Sequence, residues 1–150
     1  MGNRVLTTAL GNLAASRQAG SPPLFEELVL AAPDVGTRAF QQEFAEVVIG
    51  SAERVTLYTS ARDRALVVAR DFLDFPRLGD TRAGVLIHEP IETIDATWVD
   101  TSFVGHSYYG DNRSVISDLF FLLRERRPAA DRFGLEPVQT NDGVYWRFQR

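Results

Sequence analysis

The sequence predicts an α/β fold in which a mostly parallel sheet carries helices on both faces. Two observations favour it: apolar segments of strand length alternate with segments of helical periodicity, and polar residues follow the strand segments. With 150 residues the chain is long enough to bury one core. We therefore expect a single domain over residues 1–150.

The first half of the chain predicts a helix, a strand and a second helix. From Arg4 to Ala15 the apolar residues fall on one helical face, and the turn-forming segment Gly20 to Pro23 follows. Leu28 to Ala32 is a continuous apolar run, which is typical of a strand buried on both faces of a parallel sheet. Residues from Gly36 to Ile49 return to helical spacing.

The second half repeats the alternation. Arg54 to Thr59 is rich in β-formers and predicts a second strand, and the apolar positions from Leu66 to Phe72 predict a helix. Ile91 to Ala96 predicts a third strand, and Val115 to Leu123 a long amphipathic helix. The alternating segment Val144 to Phe148 follows a turn and predicts a terminal edge strand.

Composition excludes several classes of function. The net charge of −4 gives no basic footprint for nucleic acid. The absence of cysteine excludes disulfides, thiolate metal sites and a cysteine nucleophile. No segment approaches the roughly 18 apolar residues that a membrane span needs, and as written the chain predicts an untargeted, cytoplasmic protein. We expect neither metal nor cofactor, because no glycine-rich phosphate loop follows a strand and one aspartate series fits no ligand spacing. That series is Asp95, Asp100, Asp111 and Asp118.

Residues suited to catalysis follow the three predicted strands. Asp34 comes after the first strand, Asp63 after the second and His106 after the third, where open α/β sheets build their sites. A carboxylate followed by a histidine matches the end of the Ser…Asp…His order of one hydrolase class. There the imidazole takes the serine proton and the carboxylate orients the imidazole. Asp63 is the first candidate for the acid and Asp34 the alternative, or else a helix N-cap; His88 is interpreted as structural.

Several segments of the chain resemble an uncharacterised bacterial family of esterase/lipase-like α/β-hydrolases. They are Gly2 to Leu6 with Ala9-Leu10, Leu30 to Asp34, Thr56 to Leu66, and Ile94 to Ala96 with Phe103 to Tyr109. The resemblance implies that residues 1–150 are the C-terminal part of a single α/β-hydrolase domain, a partial fold whose N-terminal strands are missing. Any targeting segment would then lie upstream.

The resemblance also assigns roles around the start of the chain. In the family, Met-Gly-Asn-Arg follows the nucleophilic serine, so the N–H of Met1 would contribute to the oxyanion hole. His106 would be the base and Asp63 the acid, whereas the nucleophile would be absent and the chain alone inactive. Ser107 is rejected as a nucleophile because no histidine follows it in the chain.

Two hypotheses of different classes result. The first is a fragment of a serine hydrolase that acts on carboxyl esters or similar acyl groups of small molecules, with the acid and base of its triad retained. The second is a non-catalytic α/β module for binding or assembly. A flavodoxin-like ligand-binding domain is disfavoured, because the phosphate loop is lacking.

Overall fold

The computed structural model describes residues 2–16, 21–63, 75–99 and 113–149. They form a five-stranded, mostly parallel sheet with helices packed on both faces, so the predicted fold class is confirmed. The helix expected from Leu66 to Phe72 lies outside the described residues, as do Met1 and His106.

The described helices and strands follow the predicted order, apart from one additional strand near the C-terminal end. The helical segments are α1 (Gly2–Ala15), α2 (Thr37–Ala39), a π-helical turn (Phe40–Phe44), α3 (Ala45–Ser51) and α4 (Arg113–Glu125), with 3₁₀ turns at Thr81–Ala83 and Ala129–Asp131. The strands are β1 (Phe25–Ala31), β2 (Ala52–Thr59), β3 (Glu92–Asp95), β4 (Leu135–Thr140) and β5 (Gly143–Phe148).

The strand order in the sheet is β1-β2-β3-β5-β4. The first three strands are parallel as predicted, with Leu30 opposite Leu57 and Tyr58 opposite Ile94. Strand β5 also runs parallel to β3, and β4 is antiparallel to β5. Because β1, β2 and β3 share one direction, they end at the same edge of the sheet, which is called the carboxyl edge below.

Two strand predictions need correction. Strand β5 is not an edge strand, because β4 pairs along its outer side, and β4 itself was not predicted. Strand β1 was expected to be buried on both faces, but its burial alternates: Leu28 and Leu30 are buried, whereas Ala31 is exposed. The reason is position, since among the described residues β1 pairs with β2 alone.

The core consists of two apolar clusters, one on each face of the sheet. Helices α1 and α3 cover the first face, where Leu10, Phe40 and Val48 pack on Leu30 and Leu57. The second face is covered by α4 and the 3₁₀ turn Ala129–Asp131, and its buried residues include Ile94, Ala129 and Phe148. The sheet is therefore the middle layer of three.

A buried charged cluster joins α4 to the sheet. The Tyr58 hydroxyl donates a hydrogen bond to the Asp118 carboxylate, and Arg132 Nη1 lies 3.2 Å from Asp118 Oδ2. Arg132 Nη2 lies 2.9 Å from Glu92 Oε2 on β3. The side chains of Asp118 and Arg132 are 0% exposed, and burial raises the pKa of Asp118 and of Tyr58. Asp118 thus has a structural partner in Arg132.

Candidate active site at the carboxyl edge

Two of the predicted site residues lie at the carboxyl edge of the sheet. Asp34 follows the end of β1 and Asp63 follows the end of β2. These strands are neighbours and parallel, so the two carboxylates are on adjacent connections. The other two predicted residues, His106 and Met1, lie outside the described residues.

The connection after β2 buries the Asp63 side chain. Ser60 is 2% exposed, and its Oγ accepts a hydrogen bond from the Arg62 N–H at 3.1 Å, which shapes a tight turn at the end of the strand. Asp63 itself is 9% exposed. A carboxylate that is shielded from water in this way can act strongly on a neighbouring charged or polar group.

The connection after β3 is bound to the connection after β2. The Ala96 N–H donates to the Thr59 carbonyl at 2.8 Å, and the Ala61 N–H donates to Thr97 Oγ1 at 2.9 Å. The Asp95 carboxylate accepts from the Thr97 N–H at 2.9 Å and holds that threonine in place. The segment that leads towards residue 106 therefore starts against the turn that ends at Asp63.

Asp34, the alternative acid, has a different environment. Its Oδ1 lies 3.1 Å from Nη1 of Arg77, whose side chain is 7% exposed and lies over the Phe75 ring. The Asp34 side chain is 35% exposed. The interpretation of Asp34 as an N-cap is wrong, because the residue before α2 is Gly36 and no side chain caps that helix.

Residues 77–80 tie the first two connections together. The Gly79 N–H donates to the Pro33 carbonyl at 3.0 Å, and the Gly79 carbonyl accepts from the Ser60 N–H at 2.8 Å. A Cβ added to Gly79 would lie 2.5 Å from the carbonyl carbon of Ala32, so only glycine permits this approach. The position of the edge connections thus depends on one close backbone contact.

Two further sequence-based interpretations can be compared with the structure. His88 is half-buried, and its carbonyl accepts from the Ile91 N–H at 2.8 Å just before β3 begins, so it lies away from the carboxyl edge. Arg62 and Arg64 flank Asp63 in the sequence, which suggests a surface ion pair; Arg64 lies outside the described residues, and Arg62 has its guanidinium carbon 4.5 Å from the ring centroid of Trp98. Sequence reasoning missed this contact, because it joins two different connections.

An open groove of about 810 Å³ lies beside the π-helical turn. Its walls include Gln41, Glu43 and Phe75, with Asp80 at one side. Within residues 2–16, 21–63, 75–99 and 113–149 there is no group of three acidic, histidine or cysteine side chains that could hold a metal ion. Among the helices in these ranges, none has the length and apolar character required to cross a bilayer.

Comparisons with known proteins identify one family. The family model described as "Alpha/beta hydrolase of unknown function (DUF900)" matches residues 1–126, which is most of the chain. Neither the curated proteins nor the solved structures contain a significant match.

Proposed function

Because the chain belongs to this family of α/β hydrolases of unknown function, we propose that it supplies the acid and base of a Ser–Asp–His hydrolase acting on carboxyl esters of small molecules. In this proposal Asp63 is the acid and His106 the base. The observation that carries it is the hydrogen bond from the Ala61 N–H to Thr97 Oγ1, since it joins the turn ending at Asp63 to the segment leading to His106.

The proposed chemistry uses each group at a defined step. His106 takes the proton of a serine hydroxyl as its oxygen attacks the ester carbonyl, and it returns that proton to the departing alcohol. Asp63 accepts a hydrogen bond from the other ring nitrogen, which fixes the tautomer and stabilises the imidazolium. The backbone N–H of Met1 would help to bind the oxyanion, in keeping with the family pattern. Water then releases the acid from the serine ester.

The choice of Asp63 over Asp34 rests on their environments. Asp34 Oδ1 lies 3.1 Å from Nη1 of the buried Arg77 side chain, and Asp34 is one strand further from β3 than Asp63. Asp63 is the more deeply buried of the two, and it follows β2, the strand adjacent to β3. A buried carboxylate on the connection after the neighbouring strand is the better partner for an imidazole carried by the connection after β3.

A nuclear magnetic resonance experiment on the chain itself tests the pair. A ring N–H bound to a carboxylate gives a proton resonance far downfield, and the chain has only two histidines, so His88→Gln assigns the signal. We expect the signal to persist in Asp34→Asn and to vanish in Asp63→Asn. The reverse result would make Asp34 the acid, and absence of the signal from every variant would favour the non-catalytic module.

Hydrolysis tests the complete proposal. The chain alone should not cleave a short-chain nitrophenyl ester above buffer, because triad members act as a unit. Extended at its N-terminus by a segment that supplies a strand and the nucleophilic serine, it should become active, and His106→Ala should remove this activity. Asp63→Asn should lower kcat by on the order of 10⁴, and Asp34→Asn far less. An inactive extended protein that is correctly folded would support the binding or assembly module instead.

A further inference from the structure

Arg62 differs from most arginines of the described chain. Seven of them lie in ion pairs with carboxylates, which satisfy their charge within the protein; they are Arg54, Arg77, Arg82, Arg126, Arg127, Arg132 and Arg147. Arg62 is in no ion pair with a described residue, although it is exposed and immediately precedes Asp63. Within the described part of the chain, no carboxylate therefore satisfies its charge.

The Arg62 side chain is nevertheless held in place. Its guanidinium carbon lies 4.5 Å from the ring centroid of Trp98, which is itself 48% exposed. Arg77 and Arg127 also lie over aromatic rings, but each of them has a carboxylate partner as well. Arg62 thus combines a contact with an aromatic ring and a guanidinium that pairs with no carboxylate among the described residues.

This combination suits recognition of an oxyanion. When a guanidinium lies over an aromatic ring, the face of the guanidinium contacts the ring, and the N–H groups along the edge of the guanidinium can still donate hydrogen bonds. Those donors match the two oxygens of a carboxylate or a phosphate group, and a side chain already ordered by the ring loses less entropy when it binds. An exposed arginine free to rotate would lack this advantage.

The location connects the arginine to the proposed reaction. Arg62 is on the connection after β2 beside Asp63, and Trp98 is on the connection after β3. The same two connections are joined by the hydrogen bond from Ala61 to Thr97. A group bound at Arg62 therefore lies at the edge of the sheet where the proposed triad would act.

We propose that Arg62, held on the ring of Trp98, binds a carboxylate or phosphate group carried by the substrate, so that the substrates are anionic acyl esters. Only the statement that the substrates are esters rests on the proposed function. Recognition of the anion is a property of Arg62 and Trp98, and it can be measured without catalysis.

The binding experiment compares two esters that differ by one charge. Monomethyl succinate carries a free carboxylate, dimethyl succinate does not, and methyl phosphate tests the phosphate form of the same chemistry. Binding is followed through the fluorescence of Trp98. Because the chain has two tryptophans, the Trp98→Phe variant is used to measure the fluorescence contributed by Trp146. We expect the monoester to bind about tenfold or more tightly than the diester, as a charge-assisted pair of hydrogen bonds allows.

Matched variants separate recognition from general charge. Arg62→Gln should abolish the preference for the monoester, and Arg62→Lys should retain only part of it, because an ammonium cannot make the paired contact. Arg124→Gln is the control, because it removes the same charge from an exposed arginine at the edge of the sheet opposite the carboxyl edge. Arg124 is close in sequence to Arg126, whose carbonyl accepts a hydrogen bond from Arg54 near the start of β2. Arg124→Gln should leave the preference unchanged.

The ring contact has its own test by calorimetry, which does not depend on fluorescence. Trp98→Ala should weaken monoester binding, and Trp98→Phe should restore much of it, since a smaller aromatic face remains. Equal affinity for monoester and diester, or equal losses in Arg62→Gln and Arg124→Gln, would overturn the inference. Selective binding without hydrolysis by the upstream-extended protein would support this inference and contradict the proposed ester hydrolysis.

Discussion

Replacing Arg132 with methionine should destabilise the fold more than any other single loss of charge described here. Arg132 bridges α4 and β3 through Asp118 and Glu92, and its side chain is 0% exposed. Methionine fills a similar volume without a charge. The variant therefore leaves Asp118 buried, hydrogen-bonded to Tyr58 but without a cation.

The magnitude follows from the burial of the two partners. Removing one member of a buried ion pair costs about 3–5 kcal/mol, because the other charge is left uncompensated. Asp118 is 0% exposed and carries most of this cost, whereas the Glu92 side chain is 19% exposed and can be partly hydrated. For a chain of this size each kcal/mol lowers Tm by about 2–4 °C, so we expect a decrease of about 6–20 °C.

Urea unfolding followed by tryptophan fluorescence gives the measurement. Burial raises the pKa of Asp118, and loss of Arg132 should raise it further, so the variant's deficit should shrink at acidic pH, where the carboxyl binds a proton. Asp118→Leu combined with Arg132→Met should recover part of the stability. Arg147→Met, in an exposed ion pair, should leave the midpoint nearly unchanged. A loss below about 1 kcal/mol in Arg132→Met, equal at all pH values, would refute the reasoning.

Further predictions concern alkaline stability and two glycines. Burial raises the pKa of Tyr58 above its usual value of 10.0, so the unfolded chain releases this proton first and the free energy of unfolding should fall as pH rises above about 10. Tyr58→Phe should reduce that slope by up to about 1.4 kcal/mol per pH unit in urea titrations, with Tyr145→Phe as the control; identical slopes would contradict it. Gly79→Ala should destabilise by about 1–3 kcal/mol, because its Cβ would meet the Ala32 backbone. Gly50 lies on α3, where a Cβ would meet open space, so Gly50→Ala should stabilise the protein by about 0.5–1 kcal/mol. Equal melting temperatures for the two alanine variants would contradict the argument that Gly79 is required by its close contact with the Ala32 backbone.

Local sequence patterns predicted the parallel part of the sheet because each strand is an apolar run bounded by turn-forming residues. Strand β4 was missed because Pro137 stands within it and proline argues against a central strand. At the outer edge of the sheet a proline is tolerated, since its missing N–H is not needed for pairing. The π-helical turn at Phe40–Phe44 was also missed, because ordinary helical spacing of apolar residues predicts an α-helix.

For the candidate site, the sequence predicted positions better than contacts. The direction of the strands was enough to place Asp34 and Asp63 at one edge. The ion pair of Asp34 with Arg77 and the contact of Arg62 with Trp98 both join separate connections, so no local pattern marks them. Such contacts are set by tertiary packing, which periodicity does not describe.

The backbone contact at Gly79 also affects how the carboxyl edge opens. Its hydrogen bonds reach Pro33 on one side and Ser60 on the other, so displacing either connection breaks bonds of residues 77–80 as well. The amide hydrogens of Ser60, Leu78 and Gly79 should therefore exchange through one shared opening, as members of a single cooperative unit. A ligand would then meet the turn before Asp63 in one arrangement, with Arg62 already placed against Trp98 beside it.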